Sequence, residues 1–204
     1  MDHIEFNDIP IIVFDNFYND SELTLIWEEL EFLTYSHKLL PPSQTGTAVS
    51  EETKEPVKTN SGLLLDSVWN NRRELSNILT VNRKIFRNNL EMLRTGPSWF
   101  FRIFGCGSDW TLLSYYENND HYLMHEDRCS VTVLSWFYKE PRRFEGGDLI
   151  FHDSGKTMKM PVQNNRTVVF PSGLKHSVEP VRMDSCYENQ KLGRYCLTQF
   201  LHNA

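Results

Sequence analysis

The residues best equipped for chemistry lie between Tyr115 and Asp127, YYENNDHYLMHED, and above all in His125-Glu126-Asp127. The flanks alternate and are rich in aromatic residues, which predicts a β-strand running through or just up to this point. On a strand, residues i and i+2 point to the same face, so an imidazole and a carboxylate would project towards one point. Two such ligands need a third to complete the set of two His and one carboxylate that leaves positions open on a non-haem iron. His176, in VVFPSGLKHSVEPV, is the candidate. The other histidines match no ligand position. His121 and His152 lie near the motifs, and His3, His37 and His202 are expected at the surface.

Several stretches fall in a telling order. Tyr116-Glu117 and Tyr122 precede His125-x-Asp127, and Phe144-Glu145-Gly146-Gly147-Asp148-Leu149-Ile150-Phe151 follows. Next come Val168-Val169-Phe170-Pro171-Ser172, His176-Ser177-Val178-Glu179-Pro180-Val181 and Gly193-Arg194-Tyr195. In these motifs the segment from Tyr116 to the C-terminus resembles the catalytic core of the iron(II)- and 2-oxoglutarate-dependent oxygenases, in particular the prolyl 4-hydroxylase-like branch. The resemblance implies a double-stranded β-helix, or jelly roll, with Fe(II) held by His125, Asp127 and His176. It also implies 2-oxoglutarate as co-substrate, dioxygen, and ascorbate as a supporting reductant. The chemistry, decarboxylation of 2-oxoglutarate to succinate and CO2, is carried by the metal centre, and no separate acid or base is assigned.

Arg can pair with a carboxylate through two parallel hydrogen bonds, and the family's match for the group that binds the 2-oxoglutarate tail is Arg194. The family usually places its basic residue sooner after the distal His than here, where the gap is 18 positions. Met183–Leu192 therefore reads as an inserted loop, and Arg182 stays a rival. Tyr116 matches the Tyr that bonds the same carboxylate, but Tyr115 is next door, and a one-residue slip would exchange their faces. Thr132, Leu134 and Trp136 share a face of the next strand and could line the pocket, with Trp136 serving substrate or core. Cys196 stands where the family often has Ser, and with Tyr115 completes the set of candidate pocket residues.

These residues need a frame. The chain has 204 residues, 40% of them hydrophobic and 24% charged, which fits one ordinary globular domain. Its 21 basic and 27 acidic residues give a net charge of −6, which argues against nucleic acid as a partner. MDHIEFNDIP lacks the basic and apolar regions of a secretory signal, and no apolar run approaches the ~18–20 residues that span a bilayer. The expectation is a cytoplasmic protein without membrane contact, its Cys106, Cys129, Cys186 and Cys196 free thiols.

Residues 1–98 are read as a strand, helices and a loop supporting the core, and residues 99–204 as the double-stranded β-helix. Ile9–Phe14 reads as a strand. Asn19 reads as an N-cap with Glu22 three residues on, opening a helix to Leu33. Pro41–Asn60 has no Ile, Leu, Met or aromatic residue; it is either passive surface or a loop closing over substrate. Gly62–Asp66 reads as a strand, and Ser67–Arg94 as one long helix ended by Gly96 and Pro97. Short strands then follow at Trp99–Phe104, Trp110–Tyr116, Ser130–Tyr138, Gly147–His152, Thr157–Val162, Thr167–Phe170, His176–Arg182 and Arg194–His202. The class is mainly β with N-terminal helices.

The leading expectation is hydroxylation of a prolyl residue in a peptide or protein. The alternatives are the same chemistry on a free amino acid or other small molecule, and a non-catalytic jelly-roll module that binds metal or carbohydrate. Arg194 speaks against the last, because a bare metal module has no use for a carboxylate clamp.

Overall fold

Asn7 and Asp8 turn the chain back on itself near its start. Both take left-handed φ, 48° and 62°, in the two-residue turn whose twist matches the strands it joins. They connect β1 (Asp2–Phe6) to β2 (Ile9–Phe14), with Phe6 opposite Ile9. The reading above has no strand before Ile9; the Asn-Asp pair is the signal it lacks. The computed structural model describes residues 2–35, 37–46, 49–50, 54, 56–87 and 105–203. The expected strand Trp99–Phe104, the helix end beyond Arg87, and the stop at Gly96 and Pro97 lie outside them.

The remaining helices are α1 (Asp20–Tyr35), α2 (Leu65–Val68), α3 (Asn77–Asn82) and α4 (Lys84–Arg87). The remaining strands are β3 (Ser61–Leu64), β4 (Cys106–Tyr116), β5 (Tyr122–His125), β6 (Val131–Phe137), β7 (Phe144–Gly146), β8 (Leu149–Asp153), β9 (Lys156–Met160), β10 (Arg166–Pro171), β11 (Lys175–Val178), β12 (Val181–Met183) and β13 (Arg194–Asn203). One antiparallel sheet has the order β1-β2-β10-β6-β13-β4-β3 and a smaller one the order β5-β11-β8-β9, with β7 and β12 as a separate pair. Two antiparallel sheets in this connectivity make the expected double-stranded β-helix. Among the described residues no helix is long and apolar enough to cross a membrane.

The larger sheet is covered on both faces, so its central strand β6 is buried at every position rather than alternating with water. On one face, Tyr116, Leu134, Trp136 and Cys196 join Leu149, Phe151 and Val178 of the smaller sheet in the barrel interior. On the other, Leu113, Tyr115, Phe137, Tyr195 and Leu197 meet Ile26, Leu30 and Leu33 of α1 and Ile78 and Leu79 of α3. α1 starts as expected: Asn19 Oδ1 accepts from the Glu22 amide at 3.0 Å, and Glu22 Oε2 accepts from the Asn19 amide at 2.9 Å.

Two expected elements are broken. Ser67–Arg94 is not one helix, because buried polar groups need its backbone elsewhere. Asn70 and Asn71 take left-handed φ. Arg73 turns inward to pair with Asp66 and with Asp109, the latter at 2.8 Å. Ser76 then caps a fresh helix, its hydroxyl accepting from the Leu79 amide. The buried Glu29 fixes this start from α1: it accepts from Trp69 Nε1 at 2.9 Å, Ser76 Oγ at 2.8 Å and the Ile78 amide at 2.7 Å. His176–Arg182 is likewise two strands. Pro180 offers no amide to a ladder, so β11 ends at Val178 and β12 pairs instead with β7.

Glu29→Ala would leave two buried donors, Ser76 Oγ and the Ile78 amide, and the partly buried Trp69 Nε1 without their acceptor. With each orphan costing about 1–3 kcal/mol, the variant is expected to lose about 3 kcal/mol of stability. Urea denaturation checks this, and a loss below about 1 kcal/mol would mean that Glu29 does not anchor the broken helix.

Candidate functional site

β5 and β11 are antiparallel neighbours with His125 opposite His176. Directly opposed side chains on one face of a sheet lie within contact, and the two imidazole centroids are 4.3 Å apart. Each Nδ1 faces a backbone carbonyl two residues back, Leu123 O at 2.8 Å and Leu174 O at 2.9 Å. A carbonyl only accepts, so each Nδ1 donates and each Nε2 keeps its lone pair. Phe170 packs edge-on against His176 at 5.0 Å, and Tyr122 stacks on His125 at 3.6 Å.

Asp127 reaches the pair differently from the expectation. β5 ends at His125, so the two-residue strand repeat does not carry Asp127. The chain leaves the sheet, and the Asp127 amide donates to Ser172 O at 3.0 Å. Tied in this way to the turn between β10 and β11, the carboxylate turns back to both imidazoles. Oδ1 is 3.8 Å from His125 Nε2 and Oδ2 is 3.6 Å from His176 Nε2. Thr132, from β6, donates to Oδ2 at 2.7 Å. His125, Asp127 and His176 are the one group of His, Cys, Asp and Glu among the described residues whose spacing could hold a metal ion. Two neutral imidazoles and one carboxylate, each backed by a hydrogen bond, suit a divalent transition metal with positions left open.

Burial sets the protonation states. It pushes both His125 and His176 down to about 4, and at His125 the neighbouring His176 adds to the effect. Burial also raises Asp127, against the lowering influence of Thr132 and His125. At neutral pH the imidazoles are therefore neutral and ready to donate lone pairs.

A cavity of about 810 Å³ opens from these three residues into the barrel. Arg194 stands in its wall, only 1% exposed, and among the described residues none offers a hydrogen bond to its three guanidinium nitrogens. Its charge lies over the Tyr116 ring at 4.6 Å and near the Trp136 ring at 5.7 Å. Gly147 makes room for it: φ is +69°, and a Cβ there would come within 2.9 Å of Arg194 Cδ. An enclosed cation without a partner calls for an anion. A dicarboxylic 2-oxo acid, with one end at the metal and the other at Arg194, fits that demand. Arg182 is exposed on β12 and does not line the cavity. The Met183–Leu192 insertion is braced without disturbing Arg194: Asn118 donates to Glu188 at 2.7 Å, and the Asn189 amide to Glu117 at 2.8 Å.

The candidate pocket residues divide. Tyr116, Leu134 and Cys196 line the cavity. Tyr115 does not, because β4 alternates and turns its ring to the helices, where it packs on Tyr195 at 4.8 Å. Trp136 is fully buried behind Arg194, and Thr132 acts through Asp127 rather than on the cavity surface. His202 is half-buried at the cavity wall rather than at the open surface. None of the four cysteines is in a disulfide. The described part of Pro41–Asn60 walls the cavity through Gln44, Thr45, Gly46, Val49 and Lys58. Lys58 is a residue that the sequence did not single out; a lysine in a polar stretch reads as surface.

Residues 111–202 match the family model of the 2OG-Fe(II) oxygenase superfamily. No curated protein matches the chain. Among solved structures, the chain is similar to a prolyl-4-hydroxylase from Pseudomonas putida at 15% identity, covering 95% of this chain and 92% of that one with a TM-score of 0.57. It is similar to a prolyl hydroxylase from Trichoplax adhaerens, solved with a hypoxia inducible factor oxygen degradation domain peptide fragment, at 15% identity, 95% and 83% coverage and a TM-score of 0.62. An oxidoreductase of the 2OG-Fe(II) oxygenase family from Burkholderia pseudomallei gives 16% identity, 95% and 86% coverage and a TM-score of 0.57. At these identities the likeness is one of fold.

The paired imidazoles predict a pH dependence. Their folded pKa values, about 4, lie below the ordinary 6.5, so between those limits the unfolded chain binds more protons than the folded one. Stability of the metal-free protein should be greatest above pH 6.5 and be lost as pH falls towards 4, by at most ~3 kcal/mol per imidazole. Asp127, which holds its proton to higher pH when folded, offsets part of this. Urea denaturation at pH 7.5, 5.5 and 4.5 checks it, with the slope expected to fall by about half in His176→Gln; an unchanged slope would contradict the assignment.

Proposed function

We propose that this chain, whose residues 111–202 match the family model of the 2OG-Fe(II) oxygenase superfamily, is an Fe(II)- and 2-oxoglutarate-dependent dioxygenase that hydroxylates a prolyl residue in a peptide or protein. The observation that carries the co-substrate assignment is Arg194, a buried cation with no hydrogen-bond partner among the described residues, in the wall of the cavity that begins at His125, Asp127 and His176. In this reading those three residues hold Fe(II), while Arg194 and Tyr116 receive the distal carboxylate of 2-oxoglutarate. Bound iron would supply the redox chemistry in which dioxygen gives one oxygen atom to succinate, with release of CO2, and the other to a substrate C–H bond.

The chain's own part is placement. Leu123 O and Leu174 O hold the two Nε2 atoms aimed at one point. Thr132 keeps the Asp127 carboxylate from rotating away. Tyr116 and Arg194 orient the co-substrate from its far end, and Leu134, Leu149 and Val178 on the cavity wall keep water from it. Fixing both ends of a flexible acid beforehand lowers the ordering cost at the reactive end.

Two observations support a prolyl peptide. The fold is like that of prolyl hydroxylases, one of them solved with a peptide fragment. The described part of Pro41–Asn60 forms one wall of the cavity, where an extended segment could be held. A peptide with proline is stiff and partly pre-extended, so its binding costs less ordering entropy.

Incubation with Fe(II), 2-oxoglutarate and a panel of proline-containing peptides should yield succinate together with peptide one oxygen atom heavier. Oxidation of a free amino acid at far higher efficiency than any peptide would overturn the substrate class. Arg194→Met should raise the 2-oxoglutarate requirement about a hundredfold, since removing one side of a buried charge pair costs ~2–5 kcal/mol. Arg182→Met should change it less than about twofold, as expected for an exposed charge. The reverse outcome would move the clamp to Arg182.

A further inference from the structure

Lys58 is a second buried cation in the same cavity, and the co-substrate leaves it unused. Its segment is bonded to the free edge of β5: the Leu123 amide donates to Val57 O at 2.8 Å and the Thr59 amide to His121 O at 3.1 Å. That pairing puts Lys58 opposite Tyr122, and the residue is only 3% exposed. Its Nζ lies over the Tyr122 ring at 5.6 Å, the ring that stacks on His125. Among the described residues no carboxylate pairs with it. Burial lowers the amine to about 8, which leaves it mostly protonated at neutral pH.

An ammonium enclosed this far at the cavity wall, with no carboxylate beside it among the described residues, is costly unless something supplies its counter-charge. Asp127 is occupied by the metal in the reading above. Glu126 and Arg128, which also line the cavity, are exposed. In the same reading the two carboxylates of 2-oxoglutarate are taken by the metal and by Arg194. Arg194 is on β13, whereas Lys58 is on the outer edge of β5, so the two cations sit on different walls and await different anions.

We propose that Lys58 receives a carboxylate of the substrate, so that the hydroxylated residue carries or adjoins a free carboxylate. This rests on the dioxygenase reading, since that reading assigns the other anions. The carboxylate has three sources in a prolyl substrate: an acidic neighbour, a C-terminal proline, or free proline itself. The cavity therefore selects for local negative charge although the protein as a whole is acidic.

The test uses the full chain loaded with Zn(II), which binds the same donors without redox chemistry, in the presence of 2-oxoglutarate. Calorimetry compares matched probes: acetylated, amidated pentapeptides with Pro beside Asp or beside Asn, the same peptide ending in proline as acid or amide, and L-proline against L-prolinamide. At least one acidic member should bind tenfold or more tightly than its neutral partner, and the matched pair that shows this identifies the source. The preference should shrink to within twofold in Lys58→Met and in the more nearly isosteric Lys58→Gln, persist in Lys58→Arg, and be unaffected in the exposed-site control Lys156→Met. The absence of any preference in the unaltered protein, or its survival in both neutral variants, would overturn the proposal. So would a tenfold loss of 2-oxoglutarate affinity in Lys58→Met, which would assign Lys58 to the co-substrate. Succinate formation by the unaltered protein with Fe(II) is read separately. Its absence alongside a Lys58-dependent preference would sink the dioxygenase reading and leave the carboxylate site standing.

Discussion

β13 is paired with β4 along one side and with β6 along the other, and its side chains alternate between two different interiors. Tyr195 and Leu197 face the helices, while Arg194, Cys196 and Thr198 face the cavity. Because a strand repeats every two residues, a slip of one position would exchange the two sets. Arg194 would then enter the helix-facing core among Tyr115 and Phe137, where no anion could follow. The register Arg194–Tyr116 on one side and Cys196–Trp136 on the other prevents this. Gly147 completes the arrangement by leaving the space that the Arg194 side chain needs.

Arg194 is accordingly held in place before any ligand arrives. The faces of Tyr116 and Trp136 offset part of the cost of burying its charge, by an interaction worth about 0.5–2 kcal/mol. They do not replace hydrogen bonds, and the three unpartnered nitrogens remain available to a carboxylate. The metal group follows the same pattern of preparation. Its imidazoles are oriented by backbone carbonyls and its carboxylate by Thr132, so binding a cation requires little rearrangement of the chain.

Much of this arrangement was legible in the sequence where chemistry and periodicity agree. Ile9–Phe14, the Asn19 cap and the strand containing Arg194 follow from short-range patterns, and the order of motifs singled out His125, Asp127 and His176, which the structure brings together. What could not be read depends on long-range polar contacts. Glu29 on α1 sets where α3 begins, and no local pattern in Ser67–Arg94 announces that. Asp127 reaches the imidazoles through Ser172, 45 residues away in sequence, not through the strand repeat. Tyr115 and Tyr116 are equivalent to any local reading; only the pairing with β13 tells which one faces the cavity. Lys58 is buried because its segment adds to the edge of β5, although its composition reads as surface.

The central claim is that the buried guanidinium of Arg194 exists to receive the second carboxylate of a 2-oxo acid bound at the metal. The most direct measurement is a calorimetric titration of the Zn(II)-loaded protein with 2-oxoglutarate and with 2-oxopentanoate, which has the same chain length but a methyl group in place of the distal carboxylate. The account predicts that 2-oxoglutarate binds about a hundredfold more tightly, the weight of one buried charge-assisted pair. Equal affinities for the two acids would contradict it.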